Sequence, residues 1–75
     1  MKGHLNLVVV PAETSKMKVA REAAGMSRAQ LARAAGMHAS DIGKIESGII
    51  LAYQSQAEKI ANALGVKVKD LWVAK

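Results

Sequence analysis

The sequence contains no cysteine, no phenylalanine and only one proline, one tryptophan and one tyrosine among its 75 residues. Without cysteine the chain forms neither disulfides nor the usual cysteine-based zinc sites, which fits a protein of the reducing cytoplasm. Its two histidines, His4 and His38, lie far apart in sequence. We therefore expect no metal site and no cofactor.

Long apolar runs are absent too. The apolar stretch of residues 5–10 stops at Pro11, far short of a membrane span, and no signal-peptide cleavage pattern follows it. No segment combines a strong apolar face with a basic one, so membrane binding is not expected. Because the chain also lacks a nucleophile paired with a base and a phosphate-cradling glycine loop, we do not expect an enzyme.

Positive charge is in excess. Eleven Lys and Arg residues against six Asp and Glu residues give a formal net charge of +5. This balance favours a polyanionic partner, such as nucleic acid or an anionic membrane surface. The length allows one small domain that buries only about 60% of its unfolded surface, so a monomer would be marginal and oligomerisation is one remedy.

Glycines and helical spacing divide most of the chain into short helices. Ser27 and Gln30 have the spacing of a capping box, and Gly36 stands where the helix that they begin should end. Five segments carry apolar residues at helical spacing: 13–24, 27–35, 38–47, 57–64 and 68–72. The pattern predicts an all-α domain over residues 12–75.

The N-terminal end has a different pattern. Residues 5–10 are rich in valine and leucine, which favours an extended segment over a helix. The sequence offers this segment no obvious partner strand within the chain. Residues 1–11 are therefore predicted to form either an arm lying on the core or a strand that pairs with the same strand of a second subunit.

Residues 27–47 have the spacing of a helix-turn-helix unit. Ala32 is small enough for two helices to cross there, and Gly36 can adopt the left-handed conformation that a tight turn requires. The apolar residues that would hold the two helices together are Leu31, Met37, Ile42 and Ile45.

Three stretches carry a resemblance to a known family. They read MKVAREAAGMSRAQLA at 17–32, GMHASDIGKIESG at 36–48 and EKIANALGVKVKDLW at 58–72. From Met17 to Trp72 the sequence resembles the Cro/C1-type helix-turn-helix domain of phage repressors and bacterial regulators. The resemblance implies a five-helix, lambda-repressor-like fold. It also implies a homodimeric regulator, a repressor or Cro-like protein, that binds a palindromic operator in double-stranded DNA.

The resemblance also assigns roles to individual residues. The family inserts its third helix into the major groove, and the matching positions for base contacts are Ala39, Ser40, Gly43 and Lys44. Lys44 can donate to guanine, Ser40 can bond several bases and Ala39 can touch a thymine methyl group. Gly43 either permits close approach to DNA or is simply a tolerated glycine. The matching positions for phosphate contacts are Ser27, Arg28, His38 and Ser47, with Arg28 standing where the family most often has glutamine.

Two further features follow from the comparison with that family. The family often joins an arginine of helix 1 to a glutamate at the end of helix 3, which implies a shielded ion pair between Arg21 and Glu46. Asp41, opposed by Arg28, Arg33 and Lys44, leaves the predicted DNA-facing side only mildly basic. We therefore expect modest affinity for each subunit and steep salt dependence.

The loop after Gly48 departs from the family pattern. Where the family is basic or polar, this chain has Ile49, Ile50, Leu51, Ala52 and Tyr53. An exposed apolar patch usually marks a partner surface, so we predict a dimer or partner surface at Ile49, Ile50, Leu51 and Tyr53. Three interpretations stay open. The loop could mediate self-association, bind a foreign protein as in an antitoxin or a restriction-modification controller, or fill the core.

Overall fold

The computed structural model describes residues 8–11 and 14–74, with side chains from 16 to 72. Five helices form most of it: α1 (Thr14–Ala23), α2 (Arg28–Ala35), α3 (Ala39–Glu46), α4 (Gln54–Leu64) and α5 (Val68–Leu71). Three short strands accompany them: β1 (Val8–Pro11), β2 (Ala52–Tyr53) and β3 (Trp72–Ala74). The predicted all-α fold class with five helices is confirmed, and the three short strands are an addition to it.

The ends of α2 follow from local chemistry. Ser27 Oγ accepts a hydrogen bond from the Gln30 backbone N–H at 3.1 Å, and Gln30 Oε1 accepts one from the Ser27 N–H at 2.7 Å. This reciprocal capping box satisfies N–H groups that a helix start leaves without partners. At the other end Gly36 adopts φ 69°, a left-handed conformation that allows the tight turn into α3.

The core is built from aliphatic and small side chains. The largest fully buried side chains are Met17, Leu31, Ile42, Ile45 and Ile60. Alanines of α2 and α4 pack among them, which lets these helices approach closely. Burying each large aliphatic side chain contributes about 1.5–3 kcal/mol. The core therefore fixes α3 through its two isoleucines and leaves its other face available.

The N-terminal strand has partners within the chain, contrary to the expectation from the sequence. β1 lies in the middle of a three-stranded antiparallel sheet of order β2-β1-β3. Val9 pairs with Ala52 on one side and with Ala74 on the other. Because β1 lies between two strands of its own chain, it is not an edge strand that could pair with the same strand of a second subunit. The rest of the predicted arm, residues 1–7, lies outside the described residues.

The partner strands were missed because they are too short to show a pattern. β2 contains two residues within an apolar loop, and β3 follows α5 directly. Alternation with a period of two cannot be recognised in so few residues.

Candidate nucleic-acid interface

Helix α3 has one buried face and one open face. Ile42, Ile45 and Glu46 are buried. The four residues predicted to contact bases lie on the other face, three of them exposed and Gly43 half-buried: Ala39, Ser40, Gly43 and Lys44. Their spacing places them along one side of the helix. The structure thus brings all four together on a surface of small side chains with one ammonium group.

Gly43 is not required by the fold. A Cβ atom added there would have only one near neighbour, Arg28 Cδ at 3.9 Å, which is an ordinary van der Waals distance. Its backbone also does not have the positive φ found at Gly36. Neither packing nor backbone conformation within the domain requires glycine at residue 43. A requirement for glycine there would therefore come from contact with a binding partner.

A buried ion pair holds α3 against α1. Arg21 Nε donates to Glu46 Oε2 at 2.8 Å, and Arg21 Nη2 donates to Glu46 Oε1 at 3.2 Å. Only 10% of the Arg21 side chain and 3% of the Glu46 side chain are exposed. Arg21 Nη1 also donates to the Met26 carbonyl at 2.8 Å, in the turn before α2. One guanidinium thus links three parts of the helix-turn-helix region.

Both members of the pair carry charge at neutral pH. Burial by itself raises the pKa of the Glu46 carboxyl, but hydrogen bonds and charge from Arg21 and then Arg28 outweigh it, and the pKa is lowered. The hydrogen bond to Glu46 is the main cause that raises the pKa of Arg21. Glu46 is therefore a fixed anion within the fold and does not resemble a catalytic acid.

Arg28, a predicted phosphate contact, is the third member of this cluster. Its Nε donates to Glu46 Oε1 at 3.1 Å, while 55% of its side chain is exposed. Ser27 lies beside it, and its hydroxyl oxygen accepts the capping hydrogen bond. The Ser27 hydroxyl proton remains free to donate, so both residues keep donors for an anion at the start of α2.

The other two predicted phosphate contacts differ from each other. His38 is at the N-cap position of α3, but its side chain makes no capping hydrogen bond and is exposed. The Ser47 hydroxyl donates to the Gly43 carbonyl of its own helix, so a phosphate contact by this hydroxyl would require that bond to break, and the contact stays a prediction. Serine hydroxyls near a helix end commonly bond back to the carbonyl four residues earlier.

The apolar loop after α3 is divided between core and surface. Ala52 is fully buried and Ile50 is half-buried, whereas Ile49 (72%), Leu51 (48%) and Tyr53 (52%) are exposed. Beside them is a groove of about 460 Å³ lined by Asp41, Ile50, Leu51, Tyr53 and Gln56. Core filling therefore accounts for one of the four predicted surface residues, Ile50, and we call the exposed three, Ile49, Leu51 and Tyr53, the 49–53 patch.

The α2–α3 pair defines the class of protein. Two short helices joined by a left-handed glycine turn, the second anchored by isoleucines and open on its polar face, form a helix-turn-helix unit. A family described as "Helix-turn-helix domain" matches residues 15–71, and the chain belongs to this family. The match confirms the helix-turn-helix prediction and agrees with the resemblance to the Cro/C1 type. No curated protein and no solved structure matched the chain.

Membership of this family supports DNA as the partner of the protein. Within residues 8–11 and 14–74, no helix has the length and apolar character needed to cross a bilayer. The same residues contain no group of three or more histidine and carboxylate side chains placed to hold a metal ion.

Proposed function

We propose that this protein is a sequence-specific, double-stranded DNA-binding transcriptional regulator, a homodimeric repressor or Cro-like protein that acts in the cytoplasm without catalysis. The observation that carries the proposal is the open face of α3. Its small polar surface is anchored from behind by two buried isoleucines and the Arg21–Glu46 pair. Such a helix is rigid and unobstructed, as insertion into the major groove requires.

Few base contacts are available to each subunit. Lys44 donates to guanine O6 and N7, Ser40 bonds a base edge and Ala39 touches a thymine methyl group. Gly43 lets the backbone of α3 approach the groove closely. With so few contacts, sequence-dependent DNA shape contributes to specificity.

Phosphate contacts flank this helix. Ser27 and Arg28 lie at the start of α2, and His38 lies at the start of α3, where free backbone N–H groups also favour anions. Asp41 opposes these positive groups. Binding by one subunit is therefore modest, and two subunits act on one palindromic site whose half-sites are about 34 Å apart.

The 49–53 patch supplies the dimer contact in this proposal. Ile49, Leu51 and Tyr53 remain exposed although the domain is small, and exposed apolar patches usually mark interaction surfaces. The β1 strand is not used for this contact because both of its edges are paired within the chain.

The test is selection of duplexes from a random pool, followed by binding measurements with a matched pair of variants. We expect a two-fold symmetric consensus. Lys44→Gln should relax the preference at one base pair in each half-site and weaken binding about 5- to 150-fold, since a specific base contact contributes about 1–3 kcal/mol. Lys59→Gln removes the same charge from an exposed position on α4 and should leave the consensus unchanged. Selection of no consensus would contradict sequence-specific recognition.

A second function has one observation in its favour. The exposed 49–53 patch also suits a foreign protein, as in an antitoxin or a restriction-modification controller. Sedimentation of the purified protein distinguishes self-association through the patch from binding of a foreign protein. A dimer that Leu51→Asp dissociates supports self-association, whereas a monomer at concentrations that saturate DNA favours a protein partner for the patch.

A further inference from the structure

The Glu46 carboxylate is shared by two arginines of different exposure. It accepts from Arg21 Nε and Nη2, and its Oε1 also accepts from Arg28 Nε at 3.1 Å. Two guanidinium charges and one carboxylate leave one positive charge in excess. Because Arg21 is buried and Arg28 is 55% exposed, that excess charge is presented to solvent by Arg28.

The contact with Glu46 also fixes how Arg28 is oriented. A guanidinium is planar, so the bond from Nε to a buried carboxylate fixes the plane of the group, and the N–H bonds of its terminal nitrogens that point away from Nε stay available to a second acceptor. The Arg28 stem runs beside α3, with its Cδ 3.9 Å from the position of a Cβ at Gly43. Arg28 therefore belongs to the same surface as the open face of α3, although α2 carries it.

We propose that Glu46 is a positioning residue that holds the Arg28 guanidinium by Nε and aims its terminal nitrogens at a DNA phosphate beside α3. This inference rests on the proposed function and extends it to a specific requirement for arginine at residue 28. Lysine has one ammonium group that cannot meet the carboxylate and the phosphate in the same planar arrangement, and neutral glutamine cannot supply the charge. The buried pair that orients α3 thus also orients a phosphate contact.

The first test compares variants of an exposed residue that should fold normally. Arg28→Lys should weaken binding to a selected duplex about tenfold at physiological salt and leave the slope of log affinity against log salt unchanged. Arg28→Gln should weaken binding further and make that slope shallower by about 0.9, the value for one lost phosphate contact. Lys59→Arg, the reverse exchange at an exposed position of α4, is the control and should bind within twofold of the wild type. Wild-type affinity in Arg28→Lys would show that only charge matters and would overturn the positioning role.

The second test links the effect to Glu46. Glu46→Asp keeps the negative charge but shortens the side chain by one methylene group, which moves the carboxylate away from Arg28 Nε. Exchanging Arg28 for lysine in that background should therefore weaken DNA binding less than twofold. A purely structural role for Glu46 predicts the same tenfold loss in both backgrounds, and that result would overturn the proposal.

A measurement on the free wild-type protein needs neither DNA nor a folded Glu46 variant. In nitrogen-15 NMR spectra the Nε–H groups of Arg21 and Arg28 should exchange slowly with water, and that of Arg33 rapidly. An Arg28 signal that exchanges like that of Arg33 would contradict the contact with Glu46. Failure of the wild type to bind any duplex would instead overturn the proposed function, so the two failures are distinguishable.

Discussion

Replacing Gly43 with alanine should stabilise the fold and weaken DNA binding. Glycine inside a helix costs about 1 kcal/mol relative to alanine. No steric penalty offsets this gain, because the new Cβ would meet only Arg28 Cδ at an ordinary 3.9 Å. For a domain of this size, about 1 kcal/mol corresponds to a rise in Tm of about 4–8 °C.

The same methyl group stands on the face of α3 that we place against DNA. If Gly43 permits close approach of the backbone, the added carbon pushes the helix outward and loosens the neighbouring contacts of Ser40 and Lys44. We expect binding to a selected duplex to weaken at least tenfold, a loss of about 1.4 kcal/mol. Stability and affinity should therefore change in opposite directions.

Thermal unfolding followed by circular dichroism and duplex binding followed by fluorescence anisotropy measure the two effects. Asn62→Ala is the matched control, since Asn62 is an exposed residue of α4. It should also raise Tm through helix propensity while leaving DNA affinity unchanged. A lower Tm for Gly43→Ala would refute the packing argument, and unchanged affinity would show that Gly43 is merely a tolerated glycine.

Three further predictions concern the ion pair and the 49–53 patch. Glu46→Gln should lower the free energy of unfolding, measured in urea, by about 3–5 kcal/mol, because it leaves the buried Arg21 guanidinium without its counter-ion. Glu22→Gln is the control at an exposed position and should change the free energy of unfolding by less than about 0.5 kcal/mol. Since folding lowers the pKa of Glu46, the ionised carboxylate stabilises the fold fully above the unfolded-state pKa of about 4.3, and this contribution is lost as the pH falls below that value. Urea titrations from pH 7 to pH 3 should show the loss as a falling free energy of unfolding. A free energy of unfolding that stays constant over this range would contradict the prediction. Leu51→Asp should raise the dimer dissociation constant at least tenfold in sedimentation experiments, while Val19→Asp, at an exposed apolar position of α1, should not. Equal effects of the two substitutions would remove the patch from the interface.

Local sequence chemistry was sufficient to predict the five helices and both ends of α2. The capping box of Ser27 and Gln30 and the left-handed turn at Gly36 depend on residues within a few positions of each other. The open face of α3 was predictable for the same reason, because Ile42 and Ile45 fix which side is buried. Helical periodicity carries that information within a single element.

Contacts between distant residues were less accessible from the sequence. The Arg21–Glu46 pair came from the family resemblance and not from spacing, since 25 positions separate the two residues. The contact between Arg28 and Glu46 was missed because this family most often has glutamine at the position of Arg28, so no ion pair was expected there. The sheet was missed because β2 and β3 are too short to show alternation.

We propose above that this domain binds duplex DNA through the open face of α3 as a dimer. The most direct measurement is titration of a random-sequence duplex at low and at physiological salt, with the oligomeric state followed by sedimentation. We expect binding by a dimer that weakens steeply as salt rises, because phosphate contacts release counter-ions from DNA. A well-folded protein that fails to bind the duplex at low salt would contradict it.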